Sequence, residues 1–187
     1  MSAKARAKKI KLLLLDVDGV MTDGRIFVLP APAGMDAEAG SRAAELADAG
    51  GYAITSETMM EAKSFHAHDG TAMSLARLGG IKTGIITKRL SRTVALRARD
   101  LRLDHVYQGV ADKVGALEEI LAKEKLKPAE AAFVGDDIID LPVMQRCGLA
   151  IAVPNAREEV KDEAHFITDR KGGEGAARDA EIGRAHV

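Results

Sequence analysis

Three scarcities bound what this 187-residue chain can be. It has one cysteine, Cys147, which excludes an internal disulfide and fits a reducing cytoplasm, where a small apolar helix residue is the role expected of it. It lacks an excess of charge of either sign, with 27 Lys and Arg against 28 Asp and Glu, so no global field points to nucleic acid or to an anionic membrane. It also lacks any apolar run near the ~20 residues a membrane helix needs. The basic start Lys4, Arg6, Lys8, Lys9 is not followed by the apolar segment and cleavage site of a signal peptide. A cytoplasmic protein of one domain with a small-molecule partner is expected. The sequence has no internal repeat.

What is present begins with the aliphatic run Ile10 to Leu15, which ends abruptly in Asp16-Val17-Asp18-Gly19-Val20-Met21-Thr22-Asp23-Gly24. A run of that kind reads as a strand buried on both faces. In an open α/β sheet, ligands bind beyond the carboxyl ends of the strands, which is where these acids would stand. Asp16 and Asp18 share a face if the strand continues, and two like charges there need a cation or a shared proton to relieve them.

Residues 24–65 read as an antiparallel hairpin excursion: a short strand at Ile26 to Leu29, an Ala/Gly/Pro-rich tip over 30–51 with a short helix at Ser41 to Ala49, and an extended return from Met59 to Phe65. Beyond Asp69, helices alternate with strands. Helices are expected at Thr71 to Leu78, Ser91 to Asp100, Lys113 to Glu124, Leu141 to Arg146 and Arg157 to Glu163. Strands are expected at Lys82 to Thr87, His105 to Gln108, Ala131 to Val134, Leu149 to Val153 and Phe166 to Thr168. This alternation specifies an α/β fold, a Rossmann-like parallel sheet with helices on both faces. Ser91, Asp112 and Asn155 read as helix caps, and Gly79-Gly80 as a helix stop.

The predicted strand ends carry chemistry at one sheet edge: Asp16 and Asp18, then Thr87-Lys88-Arg89, then Gly135-Asp136-Asp137, with Lys113 opening the helix after the third strand. These acids with an amine and a hydroxyl suit a magnesium ion holding a phosphate, because magnesium takes oxygen ligands and keeps several waters. A carboxylate could then attack phosphorus and split a hard hydrolysis into two easier steps.

DxDGxxTDG, a Thr at a strand end, a Lys and then GDDxxD, in that order, resemble the haloacid dehalogenase superfamily of phosphohydrolases. Within it, FHAHDGTAM, IITKR, VYQGVADK, FVGDDIIDLPVM and GGEGAAR resemble the 3-deoxy-D-manno-octulosonate 8-phosphate phosphatase family, from about Lys9 to Arg178. The resemblance implies a capless domain over residues 1–180 and hydrolysis of that acidic sugar phosphate in lipopolysaccharide biosynthesis. It also implies a homotetramer in which neighbours complete one another's sites. It makes Asp16 the nucleophile and Asp18 the acid/base, and it makes Thr87 and Lys113 the holders of the phosphoryl oxygens. Magnesium would be held by Asp16, the Asp18 carbonyl and Asp136, with Asp137 behind them. Substrate contacts would fall on Asp18, His66, Ala67, His68, Asp69, Gly70, Ser74, Arg89, Arg97 and Lys113. Three positions depart from the pattern: His68 and Ser74 stand where the family has Arg, the second less regularly, and Lys88 replaces a Gly. Another ulosonate or sugar phosphate is therefore an alternative substrate, and a catalytically idle oligomeric module is the alternative from another class.

Other readings of the acids fit less well. A calcium loop counted from Asp16 puts Val20, Met21 and Phe27 where a ligand, a Gly and a Glu are required. A phosphorelay receiver needs a lone acceptor Asp ending a middle strand, and Val106-Tyr107-Gln108-Gly109 offers none. Asp140, before Leu141-Pro142, reads as a helix cap ahead of a ligand. Asp23 reads as a turn residue. His66 and His68, taken as extended, share a face as substrate-contacting or solvated residues ahead of a metal pair. Arg92, Arg97, Arg99 and Arg102 form a basic helical face. Met59, Met60 and Met73 are expected to fill an interface or core gap. Residues 181–187 match the translation of a common sequencing-library adapter, so a non-native tail is expected there.

Overall fold

The computed structural model describes residues 2–32, 50–54, 56 and 58–185. After a short helix α1 (Ala3–Ala7), strand β1 (Leu12–Leu15) is buried along its whole length, as an aliphatic strand covered on both faces must be. It pairs in parallel with β5 (Lys82–Ile86) on one side and β8 (Ala131–Gly135) on the other. The chain builds outward from β1 through β5 to β7 (His105–Tyr107). It then returns to the other flank through β8, β9 (Leu149–Ala152) and β10 (Phe166–Ile167). All pairs in this six-stranded sheet are parallel, in the order β10-β9-β8-β1-β5-β7. The direction of winding reverses beside β1, and the crevice such a reversal opens is where ligands bind in sheets of this kind.

The crossover helices are α2 (Ala67–Leu78), α3 (Arg92–Asp100), α4 (Lys113–Glu124), α5 (Leu141–Met144) and α6 (Glu158–Glu163), followed by α7 (Ala176–Ala185), which packs on α2. Most bounds fall within two residues of the expected ones, and α4 matches exactly. Ser91 and Asp112 cap α3 and α4 as read from the sequence, with side-chain oxygens accepting from Val94 N and from Val114 N and Gly115 N.

Two expectations fail locally. The His66–His68 stretch is extended only at His66: α2 begins at Ala67, with His66 as its N-cap accepting from His68 N at 3.2 Å. Asn155 does not cap α6, whose N-cap is Arg157. Its side chain instead donates to Gly19 O at 2.8 Å and accepts from Gly172 N at 2.7 Å, stapling the loop after β1 to the segment before α7.

The excursion is an antiparallel pair, β2 (Phe27–Pro30) with β4 (Met59–Ala62), in register Phe27↔Ala62 to Pro30↔Met59. Phe27, Val28 and Leu29 are each more than two-fifths exposed. A lone two-stranded hairpin is marginal in water, so this apolar face asks for cover. Strand β3 (Tyr52–Ala53) leaves the hairpin and pairs in parallel with β6 (Arg89–Leu90), just past the end of β5. The expected helix at 41–49 lies outside the described residues.

Candidate active site

The carboxyl ends of β1, β5 and β8 bring Asp16, Thr87 and Asp136 together, and the start of α4 adds Lys113. Asp16 N donates to Val134 O, so the first acid is fixed as an extension of the β1–β8 ladder. Asp16 and Lys113 are both buried and face one another, with Nζ 3.0 Å from Asp16 Oδ1. The same ammonium donates to Asp140 Oδ1 at 2.7 Å.

Asp140 is a correction to the sequence reading. It occupies the cap position of α5, but its side chain makes no cap hydrogen bond there. Fully buried, it turns back beneath the β8 loop, where Oδ2 accepts from Asp136 N at 3.0 Å and Asp137 N at 3.2 Å. Its roles are to neutralise Lys113 and to shape the loop that presents Asp136. Asp137 points outward and caps the turn Ile138–Asp140.

One carboxylate oxygen each of Asp16, Asp136 and Asp140 lies within 4.8 Å of the other two. Lys113 alone cannot balance three acids. Burial pushes Asp16 up to about 7 against the pull of Lys113, with Asp140 adding to the rise. Burial together with the charges of Asp16, Asp140 and Asp137 pushes Asp136 up to about 8. Asp16 and Asp140 outweigh burial at Lys113 and hold its ammonium above the ordinary lysine range. Asp136 Oδ1 is buried and accepts no hydrogen bond. An orphaned oxygen and unbalanced negative charge fit a hard divalent cation.

Gly19 is required by this packing. Its φ is +89°, and a Cβ there would lie 2.0 Å from Asp136 Oδ2. Asp23 Oδ1 accepts from Arg25 N at 2.9 Å, an Asx turn, as the sequence reading held.

Asp18 faces a different set of partners. Lys63 Nζ lies 2.5 Å from Asp18 Oδ1, and Arg89 Nε lies 3.1 Å from Oδ2. Glu61 completes the cluster at 3.4 Å from Lys63 and 3.6 Å from Arg89. The two acids of the first motif are thus relieved by separate cations: Lys113 for Asp16, and Lys63 with Arg89 for Asp18. Lys63 and Glu61 were missed in the sequence. They sit at the end of the hairpin return, where no periodicity tells which side chain turns inward. The only available signal was a lone Lys in an apolar-flanked stretch entering the Asp-rich edge.

Of the other expected site residues, Thr87 is buried beside the cluster, its Oγ1 accepting from Arg89 N at 3.4 Å. Arg97 pairs with Asp100 at 2.6 Å and donates to His66 O at 3.2 Å, so it braces the α2 start. Asp69 is turned inward toward the start of α7, and burial pushes it up to about 6 against the pull of His66 and of the Arg178 and Ala177 backbone N–H groups. A substrate contact at residue 69 would therefore have to come from the backbone. Gly70 packs against Leu101 and Arg97, and Ser74 Oγ donates to Gly70 O within the helix. Met73 is fully buried as expected, whereas Met59 and Met60 lie in the partly exposed hairpin.

This fold and this acid-lysine edge define a haloacid dehalogenase-like hydrolase, and the family model of that description matches residues 85–178. The 3-deoxy-D-manno-octulosonate 8-phosphate phosphatase KdsC of Yersinia pestis is 36% identical over 174 residues, 93% of this chain and 79% of that protein. Its counterpart from Escherichia coli K12 is 35% identical over 175 residues, 94% of this chain and 79% of that protein. The crystal structure of the Moraxella catarrhalis phosphatase of the same name, in complex with magnesium, phosphate and the sugar acid KDO, superposes with a TM-score of 0.80 at 31% identity, covering 98% of this chain and 90% of that one. The chain belongs to the 3-deoxy-D-manno-octulosonate 8-phosphate phosphatase family.

Proposed function

We propose that this protein is a magnesium-dependent phosphomonoesterase that hydrolyses 3-deoxy-D-manno-octulosonate 8-phosphate to the free sugar acid and phosphate. The observation that carries the chemistry is the buried Asp16, with Asp136 beside it and Lys113 3.0 Å away. The relatives that carry this activity in their names supply the substrate.

Asp16, the Asp18 carbonyl and Asp136 would hold magnesium, with Asp137 behind them. When bound, the ion supplies positive charge that keeps Asp16 ionised and offsets the charge of the phosphoryl group. Asp16 attacks phosphorus, the bond to the sugar oxygen breaks, and that oxygen leaves with a proton from Asp18. The product on the enzyme is an aspartyl-phosphate. Asp18, now a carboxylate held between Lys63 and Arg89, takes a proton from water as the water attacks phosphorus. Phosphate departs, and Asp16 is regenerated. Thr87 and Lys113 bind phosphoryl oxygens throughout, and the backbone around His66 to Gly70, with Arg89, receives the sugar. Phosphate-monoester hydrolysis is slow enough unaided to need rate enhancements up to ~10²¹-fold, which is why nucleophile, acid and cation site are all assembled at one edge.

The same reading takes residues 1–180 as one capless domain and the protein as a homotetramer in the cytoplasm. The exposed Phe27–Leu29 face supports assembly, because a hairpin of this kind needs a partner surface. A monomer in sedimentation velocity overturns the tetramer without touching the chemistry. Among the described residues no helix is long and apolar enough to cross a membrane. The substrate is tested by a panel of sugar phosphates assayed for phosphate release with and without magnesium. Fastest release from the octulosonate phosphate, lost on chelation, is expected; preference for another sugar overturns the assignment.

A further inference from the structure

Lys88 differs from the other cations at the mouth of the site. Lys63, Arg89 and Lys113 each contact a carboxylate, whereas Lys88 has no ion pair among the described residues. Its ammonium instead lies 4.6 Å from the centre of the Tyr52 ring, and the Arg89 guanidinium lies 6.0 Å from the same ring.

Tyr52 is held firmly in that position. Its N–H donates to Lys88 O at 2.9 Å, and β3 continues in register with β6, Tyr52 opposite Arg89 and Ala53 opposite Leu90. On the other side Gly51 abuts the loop after β7 so closely that a Cβ would sit 2.6 Å from Gly109 O. The chain returning from residues 33–49 is therefore clamped along the rim, between the ends of β5 and β7.

An aromatic ring attracts an ammonium without neutralising it and without taking its N–H donors, whereas a carboxylate partner would do both. Lys88 thus remains a half-buried, unneutralised donor between Thr87 and Arg89, the second of which belongs to the Asp18 cluster. Asp16, Asp18 and Asp136 crowd the same edge, and the cations beside them, Lys63, Arg89 and Lys113, are each already paired with a carboxylate, which leaves Lys88, among the described residues there, as the unpaired cation for a second negative group on a substrate.

We propose that Lys88, supported on Tyr52, is a specificity-determining residue that binds the carboxylate of an acidic sugar phosphate while the phosphate lies at Asp16. This deepens the proposed function and rests on it. The return strand Gly51–Ala53 is then part of the substrate pocket, contributed by this chain to its own site.

The test compares an acidic with a neutral substrate, 3-deoxy-D-manno-octulosonate 8-phosphate and arabinose 5-phosphate. K88A is expected to raise KM for the acidic substrate by about tenfold, the loss of one charge-assisted contact, with kcat within about twofold, and so to erase most of the preference over the neutral one. Lys88→Arg should restore it. Tyr52→Phe, which keeps the ring, should match the wild type, and Tyr52→Leu should lose part of the preference. Equal effects of K88A on both substrates, or a Tyr52→Leu variant indistinguishable from Tyr52→Phe, overturn the assignment. Failure of the underlying function shows differently, as no phosphate release from the octulosonate phosphate by the wild type. In that event the same variants are compared by inhibition of p-nitrophenyl phosphate hydrolysis with 6-phosphogluconate against glucose 6-phosphate. A tenfold loss confined to the acidic inhibitor supports Lys88, and equal losses overturn it.

Discussion

Lys63, on the hairpin return, places its ammonium 2.5 Å from Asp18 Oδ1, 45 residues away in sequence, with no part of its side chain exposed. A buried lysine is tolerated only where acids surround it, and here Asp18 and Glu61 do so. The excursion after β1 is thereby tied to Asp18, the acid/base of the proposed mechanism.

Lys63→Met should accordingly cost more than a surface ion pair. Removing one partner of a buried cluster leaves uncompensated charge, so a loss of about 3 kcal/mol in stability is expected by denaturant unfolding. Steady-state assay should show kcat falling about 100-fold as Asp18 loses its orientation. Lys63→Arg should recover most of both.

Gly19→Ala tests the contact between the loop and Asp136. A side chain at φ +89° is strained, and its Cβ would displace the Asp136 carboxylate. Magnesium affinity, followed by activity against metal concentration, should fall at least about tenfold, with about 1–3 kcal/mol of stability lost.

The pH dependence of the metal-free protein follows from Asp16 and Asp136. Their folded-state values, about 7 and about 8, lie above the ordinary carboxylate value of 3.8. The folded state therefore holds protons that the unfolded state has released, and stability falls as pH rises toward 8. Thermal unfolding in chelator should show that decline between pH 5 and 8, and magnesium should flatten it by replacing the protons.

Asp69 gives the same sign in a lower window. Its value of about 6 against 3.8 penalises the folded state as pH rises from about 4 to about 6. Asp69→Asn removes the penalty, so the variant's stability relative to wild type should grow across that window by up to about 3 kcal/mol. A constant difference between the two proteins would contradict it.

The parts of this architecture legible in the sequence were those governed by local periodicity. The aliphatic run ending in Asp16 announced a central strand, and α4 was readable to the residue from its Asp112 cap and apolar spacing. Asp16, Asp18 and Asp136, the acids of the proposed site, were legible because their strands end at one edge. Lys63, Glu61 and Asn155 were not, since each acts through a contact far along the chain from a segment without a repeating pattern. Asp140 was misread because a cap position and a buried ion pair can fall on the same residue, and tertiary packing chose the second. The His66–His68 turn was misread because Gly70 interrupts the helical pattern, although packing against Leu101 and Arg97 makes the small residue fit there.

The central claim is that Asp16 attacks phosphorus. The most direct measurement is phosphate release from 3-deoxy-D-manno-octulosonate 8-phosphate with magnesium present, by wild type and by Asp16→Asn, with circular dichroism confirming equal folding. Turnover by the wild type and none detectable for the variant is the predicted result, and a folded Asp16→Asn protein that releases phosphate at the wild-type rate would contradict it.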